Sequence, residues 1–365
     1  MGRGYFMKKE YELLKKVSEV EGISGDEVEV AKLIKEELND IATFEYDNLG
    51  STIAYLNKDS SLPKVLLTAH MDEVGFIVAN ITPNGFIKMS PIGGWWNHVI
   101  LAEVMTVKTR DGRKYVGVVG AQPPHGMPAE ARAKVLDINN IYLDLGVKDK
   151  KMVEEMGIKL GDTITPYQDF RVLNDGVSLL GKAWDDRIAV AAGIEILRKL
   201  NERGSKANAV FAGTVQEEVG LRGAKTASYH VNPDIAFAID VTMSHDLPGS
   251  DNYDTKLGAG VALSVKDGSV IAHRGLFDFV EEIAKKHNIK YTYDFLQAGG
   301  TDSGEMHKQY NGIINMTISL PCRYFHSHVS IVNYDDYKNL VDLMVEVVDA
   351  ITPEVVQKLK ESKYQ

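Results

Sequence analysis

Val210-Phe211-Ala212-Gly213-Thr214-Val215-Gln216-Glu217-Glu218-Val219-Gly220 is an apolar run that stops at two adjacent carboxylates and a glycine. Its length and flanks are those of a buried strand. Glu217 and Glu218 then stand where the strand ends, at the rim of a sheet, which is where open α/β sheets bind ligands. Two neighbouring carboxylates repel each other there unless something positive holds them. A metal ion meets that need, with one glutamate as ligand and the other left free as a base. A solvated loop that happens to contain Glu-Glu is the plain alternative.

Four other apolar runs end the same way. Residues 64–69 lead to His70-Met71-Asp72, and residues 179–184 lead to Asp185-Asp186-Arg187 with a long helix behind them, residues 188–200. Residues 233–239 lead to Asp240, and residues 312–319 are followed by Tyr324-Phe325-His326-Ser327-His328. Each has a dull reading. His70 could be a core histidine, and Asp72 a loop residue. Asp185-Asp186-Arg187 could be a helix cap with a surface ion pair, and Asp240 could cap the segment after it. His326 and His328 could share the outer face of an extended segment. Together they collect His70, Asp72, Asp185, Asp186, Glu217, Glu218, Asp240 and His326, a set of imidazoles and carboxylates that suits zinc, cobalt or manganese better than calcium. Two ions about 3.5–4 Å apart need a shared carboxylate. Two histidines, two outer carboxylates and one bridge then give each ion three protein ligands and leave room for water.

The rest of the chain reads as an α/β fold interrupted by a β-rich stretch. Leu13, Leu14, Val17 and Val20 recur at helical spacing; Ser24-Gly25-Asp26-Glu27 reads as a capping box opening a helix through Val30, Leu33, Ile34 and Leu38. Residues 50–56 read as a strand. From Val74 to about Tyr167 short β-rich runs alternate with turn signals such as Asn84-Gly85 and Asp111-Gly112, and the only helical hint is near residues 148–156. The expectation is a mixed-sheet α/β domain built from residues 1–73 and 168–365, with residues 74–167 forming an inserted all-β domain. Helices are expected over residues 276–287 and 334–351, with a frayed polar tail after the last one.

The chain has 365 residues, 44% hydrophobic and 25% charged, with a formal net charge of -10. That sign argues against non-specific binding to nucleic acid or to anionic membranes. Cys322 is the single cysteine, so neither an intrachain disulfide nor a thiolate zinc cluster is available. No signal-peptide core, no myristoylation pattern (position 6 is Phe) and no membrane-length apolar run is found, so the expected compartment is the cytoplasm.

Six segments resemble the TET-type (tetrahedral) metallo-aminopeptidases, the group that includes glutamyl aminopeptidase. They are Ala69-His70-Met71-Asp72-Glu73-Val74-Gly75, Lys182-Ala183-Trp184-Asp185-Asp186-Arg187, Val215 through Ala224, Asp240, Gly299-Gly300-Thr301-Asp302 and Arg323-Tyr324-Phe325-His326-Ser327. They keep the family's order across nearly the whole chain. The resemblance implies a metallopeptidase with two divalent ions, zinc or cobalt, acting on peptides from the N-terminus. It implies that Asp185 bridges, that His70 and Asp240 hold one ion and that Glu218 and His326 hold the other. It implies that Glu217 is the general base, that Asp72 orients His70, and that the Asp185-Asp186 peptide bond is cis. It further implies that the insert, where Trp95, Trp96 and Pro123-Pro124-His125 offer contact surface, assembles dimers into a hollow tetrahedral dodecamer. The resemblance of His328 to the glutamyl aminopeptidase branch implies a substrate preference for acidic residues, Glu or Asp. The rival enzyme reading is an endoglucanase-like glycoside hydrolase working through paired carboxylates without metal. A binding protein with a vestigial site is the third.

Overall fold

Eleven strands form one mixed sheet in the order β1-β2-β12-β3-β13-β16-β17-β11-β10, with β14 pairing β16 and β15. These are β1 Thr43–Tyr46, β2 Thr52–Leu56, β3 Lys64–His70, β10 Arg171–Val172, β11 Ser178–Gly181, β12 Asn208–Thr214, β13 Ile235–Met243, β14 Val261–Lys266, β15 Tyr291–Phe295, β16 Ile314–Arg323 and β17 Ser330–Asn333. The structure is a computed structural model, and it describes residues 9–250 and 252–364. Residues 1–8, which hold the signal-peptide and myristoylation positions considered above, lie outside the described residues.

The four central strands β12, β3, β13 and β16 run parallel, so their carboxyl ends finish on one edge. Both faces of these strands are covered, which is why they read as continuous apolar runs instead of alternating ones. Val65, Leu67 and Ala69 of β3 face the larger core, shared with helices Trp184–Glu202 and Tyr334–Asp349. Leu66 faces the other way, toward Ala224, Ala227 and Val231 of helix Arg222–Val231. Close packing explains the small residues of the long helix. A Cβ on Gly193 would come within 2.2 Å of the Phe211 ring.

Between β3 and β10 the chain builds a second body with its own core. Strands β4 Gly75–Ile81, β5 Ile87–Ile92, β6 Val104–Lys108, β7 Lys114–Gly120, β8 Tyr142–Asp144 and β9 Thr163–Pro166 close into an antiparallel barrel in the order β4-β5-β8-β7-β6-β9. Phe76, Val78, Ile87, Met105, Val107, Leu143 and Ile164 fill it, and Trp95 stacks on Phe76 at 4.9 Å between ring centres. The short helix Lys150–Glu155 matches the expected helical stretch, while the turn of helix at Ala129–Arg132 has no sequence signal.

Several local expectations are corrected. Ser24 and Glu27 do not cap helix Val28–Leu38, whose N-cap makes no side-chain bond; their side chains bond to Asp72 and to the Gln216 amide at the carboxyl end of the sheet. β13 does not stop at Asp240 but runs on to Met243. The polar tail is not frayed throughout: Thr352 accepts the Val355 amide and opens helix Pro353–Glu361. Strands β14, β15 and β17 and helix Arg222–Val231 are not anticipated by the sequence pattern, because their apolar positions are few or interrupted by polar residues.

Candidate metal centre

The parallel register sets the site. His70 is the last residue of β3 and lies opposite Thr214, the last residue of β12; Asp240 lies in β13 beside Ser319 of β16. Asp185 stands at the mouth of helix Trp184–Glu202 with non-helical backbone angles, and the Asp185-Asp186 peptide bond is cis. Two triads result. Ligand atoms of His70, Asp185 and Asp240 lie within 4.8 Å of one another, and so do those of Asp185, Glu218 and His326. Asp185 belongs to both. Its Oδ1 faces His70 Nε2 at 3.0 Å and its Oδ2 faces His326 Nε2 at 3.2 Å.

Both imidazoles are oriented from behind. His70 Nδ1 donates to the Asp72 backbone carbonyl at 2.9 Å, and His326 Nδ1 donates to the Gly94 carbonyl at 2.8 Å. With Nδ1 committed as a donor, Nε2 is the nitrogen left to bind, the arrangement usual for metal-ligating histidines. Asp72 therefore orients His70 chiefly through its backbone, since its carboxylate oxygen is 3.6 Å from Nδ1. That carboxylate has another task. It accepts the amides of Glu217 at 3.0 Å and Glu218 at 3.2 Å, and the Ser24 hydroxyl at 2.6 Å.

The two glutamates do not point to opposite sides, as they would on an extended segment. Gln216 takes a positive φ of 56° and bends the chain. Glu217 Oε2 then lies 4.0 Å from His70 Nε2, and Glu218 Oε2 lies 3.6 Å from His326 Nε2. Glu27 holds the bend, its Oε1 accepting the Gln216 amide at 3.0 Å. The alternative reading, with His326 and His328 on one outer face, also fails. His326 has a positive φ of 56°, and His328 turns to Glu103 of the barrel, Nε2 to Oε2 2.7 Å.

Asp185-Asp186-Arg187 is not a surface cap. Asp186 is fully buried and accepts the His70 amide at 3.2 Å. Arg187, also fully buried, donates to the carbonyls of Met71 at 2.7 Å, Val20 at 2.7 Å and Gly22 at 2.9 Å. Glu73 sits beside it, paired with Lys182 at 2.5 Å and with Arg187 at 3.5 Å. This buried ion cluster ties the 17–22 segment to the turn that carries His70 and Asp72.

The electrostatics call for cations. Burial first, then neighbouring carboxylates, push Glu217 and Asp240 well above the usual carboxylate range, and Glu218 up to about 8. Asp185 is held low against its burial by His326 and His70. Burial disfavours charge on the imidazoles, but Asp185 and the surrounding carboxylates prevail and raise both, His326 to about 10. The buried Glu218 Oε1 has no hydrogen-bond partner among the described residues. So many buried acids cannot all ionise without added positive charge. Divalent ions fit this donor set.

Gly93 and Gly94 are not among the site residues read from the sequence. Gly93 has a φ of 77°, and a Cβ there would lie 2.7 Å from Val74 Cγ1 and 3.2 Å from Glu218 Oε2. The barrel thus supplies one wall of the second triad. The Gly-Gly pair was the one available signal, since it allows close backbone approach.

Residues 50–343 match the family model for M42 glutamyl aminopeptidase. The chain is 31% identical to the glutamyl aminopeptidase of Lactococcus lactis subsp. cremoris over 96% of this chain and 99% of that one. It is 32% identical to the lysyl aminopeptidase of Pyrococcus furiosus over 94% of this chain and 98% of that one. Among solved structures it superposes on a TET aminopeptidase from a marine-sediment Thaumarchaeota archaeon with a TM-score of 0.93 and 34% identity, covering 96% and 99% of the two chains. It matches the Pyrococcus horikoshii TET1 peptidase, described as assembling into a tetrahedron or a large octahedral shell, with a TM-score of 0.83 and 33% identity over 92% and 98%.

Proposed function

The chain belongs to the M42 glutamyl aminopeptidase family, and from that membership we propose how this peptide hydrolase works: as a dinuclear-metal aminopeptidase with Glu217 as its base. One observation carries the proposal. Asp185 turns one carboxylate oxygen to each histidine, at 3.0 and 3.2 Å, and so belongs to both triads. His70, Asp185 and Asp240 would hold one divalent ion, and Asp185, Glu218 and His326 the other, zinc or cobalt by the mixed imidazole and carboxylate set. Such ions, when bound, polarise the scissile carbonyl and make water nucleophilic at neutral pH. Glu217 accepts the proton of the attacking water and delivers it to the leaving amine. Its environment suits the task, because burial, the largest cause, raises its proton affinity above that of an ordinary carboxylate. Asp72 holds the amides of both glutamates, so it positions base and ligand together. The surrounding carboxylates attract a free N-terminal ammonium, which directs cleavage to the first residue of a peptide.

The barrel is proposed to mediate assembly into a homo-oligomer, a tetrahedral dodecamer built from dimers, supported by the assemblies described for TET1 and by the 65% exposed Trp96. No helix of the described residues is long and apolar enough to cross a membrane. A cytoplasmic setting is proposed in keeping with that lack of a membrane-length apolar helix among the described residues.

A panel of aminoacyl amides with Glu, Asp, Lys and Leu side chains, assayed with zinc or cobalt, tests the reading. Turnover of free-amine substrates that vanishes with chelator and with N-acetylation is expected. Chelator-resistant cleavage of a glucan by the same protein would favour the glycosidase instead. The acidic preference proposed from His328 stands if Glu and Asp amides lead the panel and falls if Lys leads.

A further inference from the structure

At the end of the sheet away from the metal centre, where β13 and β16 begin, a groove of about 630 Å³ opens beside the C-terminal helix Pro353–Glu361. Its lining is basic in a chain whose net charge is -10. Lys360 and Lys363 line it, and neither has an ion-pair partner among the described residues. Arg274, the first residue of helix Arg274–Lys286, is likewise unpaired among the described residues. Gly275 brings this helix start against the segment carrying the lysines, for a Cβ there would lie 2.8 Å from Ser362 Oγ. The only acid lining the groove is Asp234, whose Oδ2 already accepts the Lys64 amide at 2.9 Å.

The wall of the groove is built. His273 is 8% exposed and caps helix Arg274–Lys286, its Nδ1 accepting the Leu276 amide at 3.3 Å. Its own amide donates to the Asn315 carbonyl at 3.1 Å. The Asn315 side chain donates to the Ser303 carbonyl at 2.9 Å, which also receives His307 Nδ1 at 2.9 Å. The backbone and hydrogen bonds therefore fix both rings. Because His273 Nδ1 accepts, the ring proton is on Nε2, and that N–H has no partner among the described residues. Burial first and the Lys363 ammonium second lower the His273 pKa, so the ring stays neutral and the N–H remains a donor. A buried donor and two ammonium groups without ion-pair partners among the described residues line one groove beside the start of a 13-residue helix, and Asp234 is the one acid in that lining.

We propose that this groove binds the phosphate group of a small phosphorylated molecule, held by Lys360, Lys363, His273 and the start of helix Arg274–Lys286. A dianion matches several cations better than a single carboxylate does, and helix starts favour anions. The groove volume leaves space for an organic body attached to the phosphate.

The test uses inorganic phosphate as probe on the metal-loaded full chain, by calorimetric titration at constant ionic strength with chloride as the balancing ion. Phosphate also binds divalent ions, so the Lys360→Gln/Lys363→Gln double variant, which keeps the same metal centre, is titrated in parallel. The expected result is a binding event in the parent protein whose affinity falls about tenfold or more in the double variant, from loss of charge-assisted bonds. Aminoacyl-amide turnover without phosphate should be equal in the two. Identical phosphate isotherms for both proteins would overturn the proposal. So would glutamate binding at the same residues as tightly as phosphate does.

Discussion

Glu217 and Glu218 are adjacent, yet one is proposed to move a proton and the other to hold an ion, and substitution separates the two roles. Glu218→Gln removes a ligand oxygen from the second triad, so its metal affinity should fall and part of its activity should return when the ion is added in excess. An activity that ignores added metal would count against Glu218 as ligand. The same triad gives a pH dependence. Burial first and Asp185 next raise Glu218 to about 8, while Asp185 and Glu218 lift His326 to about 10 against its burial. A cation needs Glu218 ionised and His326 neutral, so binding releases protons. Metal affinity should therefore strengthen as pH rises and weaken as pH drops below about 8. Competition with a chelator at about pH 6.5 and about pH 8.5 measures this, and equal affinities would contradict it. Arg187 works at a distance from the chemistry. Arg187→Met takes one donor from Glu73, which keeps Lys182, and one from each of four carbonyls, a loss of about 3–5 kcal/mol if the buried cluster behaves as a broken pair. A thermal unfolding midpoint within a degree or so of the parent's would show that the cluster contributes little.

At the scale of elements, the sequence displays the ends of β3 and β12 because buried parallel strands are apolar throughout and the break to charged residues is abrupt, so His70, Glu217 and Glu218 are visible for that reason. Asp185, Asp240 and His326 are visible as charged or imidazole residues next to or inside apolar runs, although Asp240 lies within β13 and Asp185 follows the antiparallel β11. What joins them is not visible. The bend at Gln216 depends on Glu27, which is 189 residues away in sequence, and Ser24 reaches Asp72 across 48. Local pattern assigns both residues to a helix cap, since the capping motif and the actual long-range bonds use the same side chains. Strand β15 stays hidden because it is an edge strand that buries little and so carries a weak period, and the buried run of β14 is short. The barrel's Gly93–Gly94 loop is the clearest omission. It touches Glu218 and His326 from a body with a separate core, and no local feature of the loop announces that contact. Gly93→Ala adds a methyl where φ is 77° and Glu218 Oε2 is 3.2 Å away. This variant should lose metal first from the Glu218–His326 triad and keep the His70–Asp240 triad filled at limiting metal. Loss of both ions together would mean that the loop does not act on one triad alone.

For the whole molecule, the mixed sheet provides the reacting groups and the barrel provides one wall and, in the proposal, the assembly surface. Light scattering should give a solution mass that is a multiple of 40.4 kDa, with a dodecamer as the proposed end state. A lone 40.4 kDa species at assay concentration would remove the barrel's proposed role while leaving the chemistry of the site untouched. The claim that two ions share Asp185, with Glu217 standing free of both, is tested most directly by counting metal. Metal equivalents per chain are determined together with turnover for the parent protein and for Glu217→Gln. Two equivalents in both proteins, with kcat lower by about 10²–10⁴-fold in the variant, is the predicted result. One equivalent in the parent, or an ion lost from Glu217→Gln, would contradict it.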